Sequence, residues 1–579
     1  MDNQRLLIWA AVGMLAFMTY QAWLQDYPPA PAEISQDSTQ APAALEPTTN
    51  DSLPGLGASD TSDTEVPALP AATTQAAQPD LATEASGEII RIHTDVFDIE
   101  LNTAGGRLQR VALMNYPVAK DRPNELVELI STDDHRFGAM QSGLIADAGD
   151  GEQYFTAIMT ATERSYEMNG NDEIVVPLFW YDGNGIKVEK RFRFTRGSYR
   201  IDVEHRVSNG SDSSWRAAPY TTLKRLSIPL ERSMFNVDTY SFDGPIVYDG
   251  SKSEKLKRDD LLEGPYQIDA TAGWAAGIQH HFLSAVIPDD SVPYHYDIKV
   301  KNKMSTTSVF GPTTTIASGT EHSFNTTLFI GPKDQSQLEQ IDPTLKLTVD
   351  YGILTLLSNP LFWLLSKIFS VFGNWGVAII LTTVLIKAAF YKLTEKSGRS
   401  MAKMREIQPR MKALQDRYKD DRQALSQAMM DLYKREKVNP AAGCLPILIQ
   451  MPFFLAFYWV LLESVEMRQA PFALWITDLS SRDPYFILPI IMGAAMLMQQ
   501  RLNPAPADPV QAKVMQIMPI VFTGFFAFFP SGLVLYWVTN TLLSIAQQWC
   551  VNKVVAEEQK SRKNKSSKPN KNKSKKKSD

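Results

Sequence analysis

The chain has 579 residues, with 58 lysines and arginines, 64 aspartates and glutamates and a net charge of −6. This length accommodates several domains, and the charge balance excludes a chain that is basic throughout. The two cysteines, Cys444 and Cys550, are far apart and form no metal-binding motif, so we expect no metal site.

The N-terminus carries a candidate membrane segment. Residues 6–23 form an apolar run that follows Arg5. A signal peptide cleaved near Ala30 and Ala32 is one interpretation, but the length of the run favours an uncleaved anchor over residues 1–24, with its N-terminus in the cytoplasm. Residues 25–87 are rich in Pro, Ala, Thr, Ser and Asp, which predicts a disordered periplasmic tether.

Residues 88–344 have the pattern of a large all-β domain. Short alternating runs such as EIVVPLFWY, IKVEKRFRF and HSFNTTLFI are separated by Gly, Asn and Asp, which predicts a β-sandwich. His280 and His281 are adjacent but have no further ligands at metal-binding spacing. We find no catalytic motif. We therefore expect neither an enzyme nor a cofactor, and predict that most of this domain is dispensable for the function of the membrane region.

Residues 345–373 favour an amphipathic helix in the membrane interface. Ser366, Lys367 and Ser370 cluster on one side of it, opposite large apolar residues. If this segment crossed the membrane as well as the next run, the basic loop that follows would lie outside the cytoplasm, against the positive-inside rule.

Residues 375–393 are apolar enough to cross a membrane, yet they contain Lys387. A charged side chain at the centre of a bilayer costs about 2.5–3.5 kcal/mol on insertion scales, and such groups usually face a bundle interior or a wet cavity. Lys387 with Thr383 therefore indicates a polar groove. The alternative is a lysine that snorkels to the headgroups from the cytoplasmic end of the helix.

A basic helical hairpin is predicted over residues 394–438. Apolar residues recur there every three or four positions, and methionines adapt to varied apolar partners. One interpretation is a docking surface for ribosomal RNA or anionic lipid, and the other is two helices that pack only on each other. The candidate docking residues are Met401, Met404, Met411, Lys412 and Met429.

Further apolar runs are predicted to span the membrane, and a basic tail over residues 553–579 is predicted to be a cytoplasmic arm that contacts either lipid or the ribosome. With the N-terminal anchor the count is six spans. Polar residues in these runs favour the groove over a snorkelling lysine: Gln450, Thr523 and Asn540. The five spans of the core region (374–552) are predicted at about 375–393, 440–462, 485–502, 514–529 and 533–549.

Several stretches resemble the YidC family of bacterial membrane protein insertases, whose relatives are the mitochondrial oxidase-assembly and chloroplast albino insertases. The resemblance covers nearly the whole chain outside the tether and is that of the Gram-negative form. It is carried by GNWGVAII, SMAKMREIQPRM, KVNPAAGCLPILIQMPFFLAFY, QAPFALWITDLS, DPYFILPIIMG, FPSGLVLYWVTN and, in the β domain, GWAAGIQHHFLSAVIP.

The resemblance implies a polytopic α-helical protein of the bacterial inner membrane, with six transmembrane helices, a five-helix core, both termini cytoplasmic and a periplasmic β-sandwich. It implies an insertase and chaperone whose groove is hydrophilic. Lys387 stands where the family usually carries arginine, so the bidentate fork is lost. The substrate would also contact Met451, Pro452, Tyr536 and Trp537.

The implied partners are nascent membrane proteins, the ribosome, the Sec translocon (SecYEG and SecDF), the signal recognition particle and its receptor, and anionic lipid, but not DNA. Two other classes of protein are weighed against an insertase. A secondary transporter would often show internal repeats, and we find none. A membrane-anchored periplasmic carbohydrate-binding protein would use the β domain, where no residue pattern specifies a ligand.

Overall fold

The computed structural model describes residues 87–146, 157–228, 241–418, 421–436, 438, 445–502 and 509–566. The predicted anchor (1–24), all but the last residue of the tether (25–87), Cys444 and residues 567–579 of the basic tail lie outside the described residues.

The β domain is built from twenty described strands. In chain order they are β1 Ile89–His93, β2 Phe97–Asn102, β3 Arg107–Ala119, β4 Arg122–Ile130, β5 Gly138–Ala146, β6 Thr160–Ala161, β7 Ser165–Glu167, β8 Glu173–Tyr181, β9 Ile186–Thr195, β10 Arg200–Asn209, β11 Trp215–Leu226, β12 Asp243–Tyr248, β13 Ser253–Lys255, β14 Tyr266–Ala270, β15 Trp274–Gln279, β16 Phe282–Pro288, β17 Tyr294–Lys301, β18 Met304–Phe310, β19 Thr314–Ile316 and β20 Glu321–Pro332.

These strands form two sheets. The eleven-stranded sheet runs β14-β17-β18-β11-β5-β3-β2-β1-β7, with β19 paired to β11 and β4 to β3, and the nine-stranded sheet runs β13-β12-β15-β16-β20-β10-β9-β8-β6. Strands β1 and β7 are parallel, whereas β8, β9, β10 and β20 form an antiparallel series. Alternate residues of β9 are buried from Ile186 to Phe194, as expected where one face of a strand covers a core.

Lys190 joins the two sheets inside this core. Its side chain is fully buried on β9, and the ammonium donates to the carbonyl oxygens of Gly105 at 3.1 Å, Gly106 at 2.9 Å and Ser142 at 2.6 Å. Ser142 belongs to β5 of the other sheet. Burial lowers the pKa of Lys190 to about 7, and the three carbonyls use all three donors of its charged form.

The helices follow the domain, apart from one short helix within it. They are α1 Arg258–Glu263, α2 Gln335–Ile341, α3 Thr355–Phe372, α4 Trp375–Ala389, α5 Tyr391–Arg417, α6 Arg422–Arg435, α7 Leu445–Glu463, α8 Ile487–Leu502, α9 Pro509–Phe526 and α10 Ser531–Ser566, with short 3-10 turns at Pro343–Thr348, Gly352–Leu354 and Val465–Met467.

Most of the predicted span boundaries differ from these helices by a few residues, and two differences change the course of a helix. The run predicted over 375–393 divides at Phe390, because α4 ends at Ala389 and α5 leaves at an angle of 67°. The last span does not end at 549, since α10 continues to Ser566 as one helix of 36 residues. At about 1.5 Å per residue this helix is much longer than the ~30 Å hydrocarbon layer. The start of the basic tail, residues 553–566, is therefore helical.

The length and hydropathy of the helices identify a different set of candidate membrane spans from the set that the sequence pattern predicts. Among the described helices, α3 alone is long and apolar enough to cross a membrane, and α4 with α5 qualifies only as a bent pair. Shorter apolar helical segments cover Ile449–Glu463, Ile487–Leu502 and Lys513–Phe526. These criteria do not by themselves give the predicted count of six spans.

Candidate functional site

Lys387 lies inside the helix bundle. Its side chain is 8% exposed, and its ammonium donates to the hydroxyl of Ser544 on α10 at 2.7 Å. The Ser544 hydroxyl donates in turn to the carbonyl oxygen of Asn540 at 2.7 Å. Among the described residues Ser544 is the only hydrogen-bonding partner of Lys387, and no carboxylate pairs with it. A cation held by one hydroxyl has donors left for water or for an incoming anion.

Two threonines lie on α4 within about one turn of Lys387. Thr383 is buried and its hydroxyl donates to the carbonyl oxygen of Ile379 at 2.7 Å, within the same helix. The hydroxyl of Thr382 is buried and has no partner among the described residues. Together with Lys387 these side chains concentrate polar groups in the C-terminal half of α4, where it packs against α10.

The other predicted groove residues are less closely associated with Lys387. Asn540 is half-buried and reaches Lys387 only through the backbone carbonyl that Ser544 contacts. Gln450 on α7 and Thr523 on α9 are half-buried, and within the described part of the chain no hydrogen bond joins either one to Lys387. Thr523 instead donates to the carbonyl oxygen of Pro519 at 2.7 Å and faces Gly493 of α8.

The residues predicted to contact substrate surround an aromatic cluster. Tyr536 is buried and its ring stacks 4.5 Å from that of Phe457, while Trp537 is half-buried and meets the ring of Phe454 edge-on at 4.7 Å. On α7, Met451 is exposed and Pro452 is half-buried. In this arrangement Met451 is accessible from outside the bundle, whereas Tyr536 is covered by its neighbours.

The hairpin of α5 and α6 encloses a small apolar core, and α5 also packs against α10. Met411 is buried with Ile407 and Leu432 in a small core, and Met404 and Met429 pack against it. Met401 is half-buried, and Lys412 is exposed. The spacing of the methionines predicts an apolar face, but spacing does not reveal what covers such a face.

The extension of α10 is attached to the hairpin. Arg399 of α5 donates to Glu558 of α10 at 2.9 and 3.1 Å, and it also binds Glu395. About two turns before Glu558, the side chain of Val551 packs against Gly398 so closely that a Cβ on that glycine would lie 3.0 Å from it. The beginning of the basic tail is thus held against the hairpin by an ion pair and a close helix contact.

Sequence reasoning missed a polar joint between the β domain and the bundle. Glu463 ends α7 and is buried, and its carboxylate accepts from Lys333 at 3.0 Å and from the hydroxyl of Ser241 at 2.9 Å. The neighbouring carbonyl oxygen of Leu462 lies 2.9 Å from Nε2 of His281. Burial, together with its neighbours, lowers the pKa of His281 well below its usual value. As a neutral ring it donates one N–H to that carbonyl.

His280 completes this joint. Its ring stacks on that of His281 at 3.7 Å, and its Nε2 lies 3.1 Å from the same carbonyl oxygen of Leu462. The histidine pair therefore contacts the C-terminal end of α7. One signal was available in the sequence: Glu463 is an acidic residue that ends a long apolar run, and such a residue needs a partner when it is buried.

Models of two known protein families match almost all of the described residues. Residues 89–364 match the model of the YidC periplasmic domain, and residues 367–559 match that of the 60Kd inner membrane protein. A membrane protein insertase YidC from Nitrosococcus oceani is 44% identical over 96% of this chain and 100% of its own length. One from Thioalkalivibrio sulfidiphilus is 45% identical over 96% and 98%.

Among solved structures, an active YidC insertase with its first transmembrane domain resolved has a TM-score of 0.37 and 18% identity, over 80% of this chain and 94% of that one. The identities to full-length relatives, and not this structural similarity, decide the assignment. The chain belongs to the YidC family of membrane protein insertases.

Proposed function

We propose that this chain inserts nascent membrane proteins into the bacterial inner membrane and assists their folding, alone or beside the Sec translocon. The observation that carries this proposal is the environment of Lys387, a cation buried among apolar helices with one hydroxyl as its described partner. A polar flank of a substrate must cross hydrocarbon. A wet, cationic groove that extends part of the way shortens the path over which that flank is desolvated.

The proposed topology places the N-terminus, the hairpin and the basic tail in the cytoplasm, and the β domain in the periplasm. In it α4, α7, α8, α9 and α10 cross the membrane together with the N-terminal anchor, while α3 lies in the interface. Leu361 and Leu365 of α3 are buried against the bundle, whereas Trp363 is 61% exposed. An interfacial α3 keeps the basic hairpin on the cytoplasmic side, as the positive-inside rule requires.

The proposed mechanism is physical rather than covalent. Lys387 attracts an acidic residue of the substrate flank into the groove, while the apolar segment moves past Met451 and Trp537 into lipid. Ser544 holds the ammonium away from lipid before the substrate arrives. Hydrophobic partitioning drives release, because each buried CH₂ contributes about 0.8 kcal/mol.

The basic surfaces are proposed to recruit the remaining partners. Lys412 is exposed on the hairpin, and the helical start of the tail is held against the hairpin by the ion pair between Arg399 and Glu558. Ribosomal RNA and anionic lipid are polyanions that bind such surfaces with strong salt dependence. The signal recognition particle, its receptor and the Sec translocon complete the proposed set, in which DNA has no part.

The experiment compares Lys387→Arg, Lys387→Ala and the control Lys367→Ala, each assayed for insertion of one substrate whose flank is acidic or neutralised. We expect Lys387→Arg and Lys367→Ala to retain insertion, because the groove keeps its cation. Lys387→Ala should reduce insertion of the acidic substrate by about tenfold, the equivalent of one charge-assisted contact. Equal activity of the native protein and Lys387→Ala on the acidic substrate would reject the groove role of Lys387.

A further inference from the structure

A cavity lies between the β domain and the loop that connects α7 to α8. It has a volume of 680 Å³, and the residues that line it come from the β3–β4 turn, the β15–β16 turn and the segments around 468 and 477–484. Lys120 joins its two sides by donating to the carbonyl oxygens of Gln469 at 3.3 Å and Thr477 at 2.5 Å. The cavity is therefore formed only where the β domain meets the helix bundle.

The lining of this cavity favours an anionic ligand. Three permanent cations, Lys120, Arg468 and Arg482, face two carboxylates. One of these, Asp478, already accepts from the backbone N–H of Ser480 at 2.8 Å and from two serine hydroxyls. The other carboxylate, Asp121, is exposed at the rim.

Two of the cations have donors available. Arg468 is the most engaged of the three, since its Nη2 donates to the carbonyl oxygens of Pro117 and Val118 and its guanidinium lies over the ring of Phe282. Lys120 uses two of its three N–H groups, which leaves one for a ligand. Arg482 is exposed and forms no ion pair or side-chain hydrogen bond with any residue in the described ranges. Its guanidinium matches the geometry of a phosphate.

The position of the cavity favours a lipid as the source of such a phosphate. The connecting loop lies against the start of α10. The backbone N–H of Ser531 donates to the carbonyl oxygen of Ser481, and the backbones of Arg482 and Pro530 form an isolated β-bridge. The same loop exposes Leu474 (87%) and Tyr485 (66%). A large apolar residue and a tyrosine exposed at the end of a membrane bundle are typical of the lipid headgroup level.

We propose that this cavity binds the phosphodiester headgroup of an anionic phospholipid from the periplasmic leaflet, with Arg482 and Lys120 contacting the phosphate. A cavity of 680 Å³ holds a glycerophosphate headgroup, and the exposed side chains of Leu474 and Tyr485 lie beside its acyl chains. The lipid fills the space between the β domain and the bundle and thereby fixes their separation at the membrane surface. This inference depends on the proposed topology but not on insertion activity.

The test uses the full chain in phosphatidylcholine nanodiscs with a photoactivatable phosphatidylglycerol whose reactive group is close to the phosphate. We expect crosslinks in peptides that contain residues 118–121 and 477–485. Lys120→Gln/Arg482→Gln should reduce their yield by about tenfold, as expected for the loss of charge-assisted contacts. Arg206→Gln/Lys301→Gln removes two exposed cations elsewhere on the β domain and should leave the yield unchanged.

Competition with unlabelled molecules distinguishes an anionic lipid from free phosphate and from a zwitterionic lipid. Unlabelled phosphatidylglycerol should abolish the crosslinks, while the same concentration of inorganic phosphate or additional phosphatidylcholine should not. Equal competition by inorganic phosphate would overturn the assignment to a lipid, and equal competition by phosphatidylcholine would overturn the requirement for an anion. Crosslinks that persist in Lys120→Gln/Arg482→Gln would overturn the site. Since no insertion is measured, a failure of the proposed function leaves this result unaffected.

Discussion

Lys333 and Glu463 form a buried ion pair, with 3.0 Å between the ammonium and the carboxylate. Lys333 directly follows β20 and Glu463 ends α7, so the pair joins the β domain to a helix of the bundle. The hydroxyl of Ser241 binds the other carboxylate oxygen at 2.9 Å. A buried pair of this kind specifies one arrangement of its two elements more clearly than it contributes net stability.

Breaking this pair from one side should therefore be costly. Lys333→Met leaves Glu463 buried and unpaired, for which we expect a loss of about 3–5 kcal/mol. The double variant Lys333→Met/Glu463→Leu should recover most of that loss, because no charge remains buried. Lys346→Met is the matched control, since its ion pair with Glu339 is partly exposed to solvent and should be worth less than about 1 kcal/mol. Thermal unfolding of the full chain in detergent measures all three variants.

The same joint affects how a deletion of the β domain can be interpreted. Removing residues 88–318 retains Lys333 for Glu463 but removes Ser241, His280 and His281, so the carbonyl oxygen of Leu462 loses both of its ring partners. It also leaves β20 without β10 and β16 on its two sides. An effect of that deletion on insertion would accordingly report damage to the end of α7 as well as loss of the domain.

The contact between α8 and α9 gives a second prediction. A Cβ at Gly493 would lie 2.1 Å from the hydroxyl oxygen of Thr523, whereas a Cβ at Gly524 would meet open space. Gly493→Ala should therefore cost about 1–3 kcal/mol through overpacking. Gly524→Ala should be neutral, or stabilise by up to about 1 kcal/mol through helix propensity. Equal melting temperatures of the two variants would contradict the close approach of these helices.

Glu466 predicts how stability depends on pH. Burial and the nearby Asp334 raise its pKa to about 7, although the backbone N–H of Gln335 and the charge of Lys333 act in the opposite direction. The folded state therefore holds a proton that the unfolded state has already lost above its ordinary carboxyl pKa. The resulting contribution to stability is present at low pH and is lost as the pH rises through about 7.

Replacing Glu466 by Gln should remove this contribution. The melting temperature of the native full chain should fall between pH 5 and pH 8, and that fall should be smaller in Glu466→Gln. Glu263→Gln changes an exposed carboxylate of the β domain and should keep the native pH profile. A Glu466→Gln profile that runs parallel to the native one would show that this carboxyl group titrates normally.

The alternation of apolar and polar residues predicted these strands well, because it follows the alternation of buried and exposed positions along a strand. The run EIVVPLFWY coincides with β8, and IKVEKRFRF lies within β9. The break at Phe390 and the continuation of α10 to Ser566 were not predicted, because hydropathy marks where lipid contact ends and not where a helix ends. The extra turns of α10 are stabilised by Glu558, whose partner Arg399 is 159 residues away in sequence.

At the candidate site the sequence indicated single residues but not their partners, because the partners lie far away in sequence. An apolar context identified Lys387 as unusual, but its partner Ser544 lies on another helix and could not be chosen from several polar residues of the last span. Glu463 was overlooked because its two partners, Ser241 and Lys333, come from separate parts of the β domain. Pairings over such sequence distances depend on the fold itself.

The last prediction concerns the water in the groove and uses the Lys387–Ser544 hydrogen bond. In a dry bundle, Ser544→Ala would leave a buried ammonium without a partner and cost about 1.5–3 kcal/mol, the range for hydrogen bonds to charged groups. In the proposed wet groove, water replaces the lost hydroxyl, so we expect a cost below about 1 kcal/mol. A double-mutant cycle of Ser544→Ala with Lys387→Ala isolates the coupling between the two side chains from the other effects of each change. A coupling energy above about 1.5 kcal/mol, measured by thermal unfolding in detergent, would contradict a water-accessible groove at Lys387.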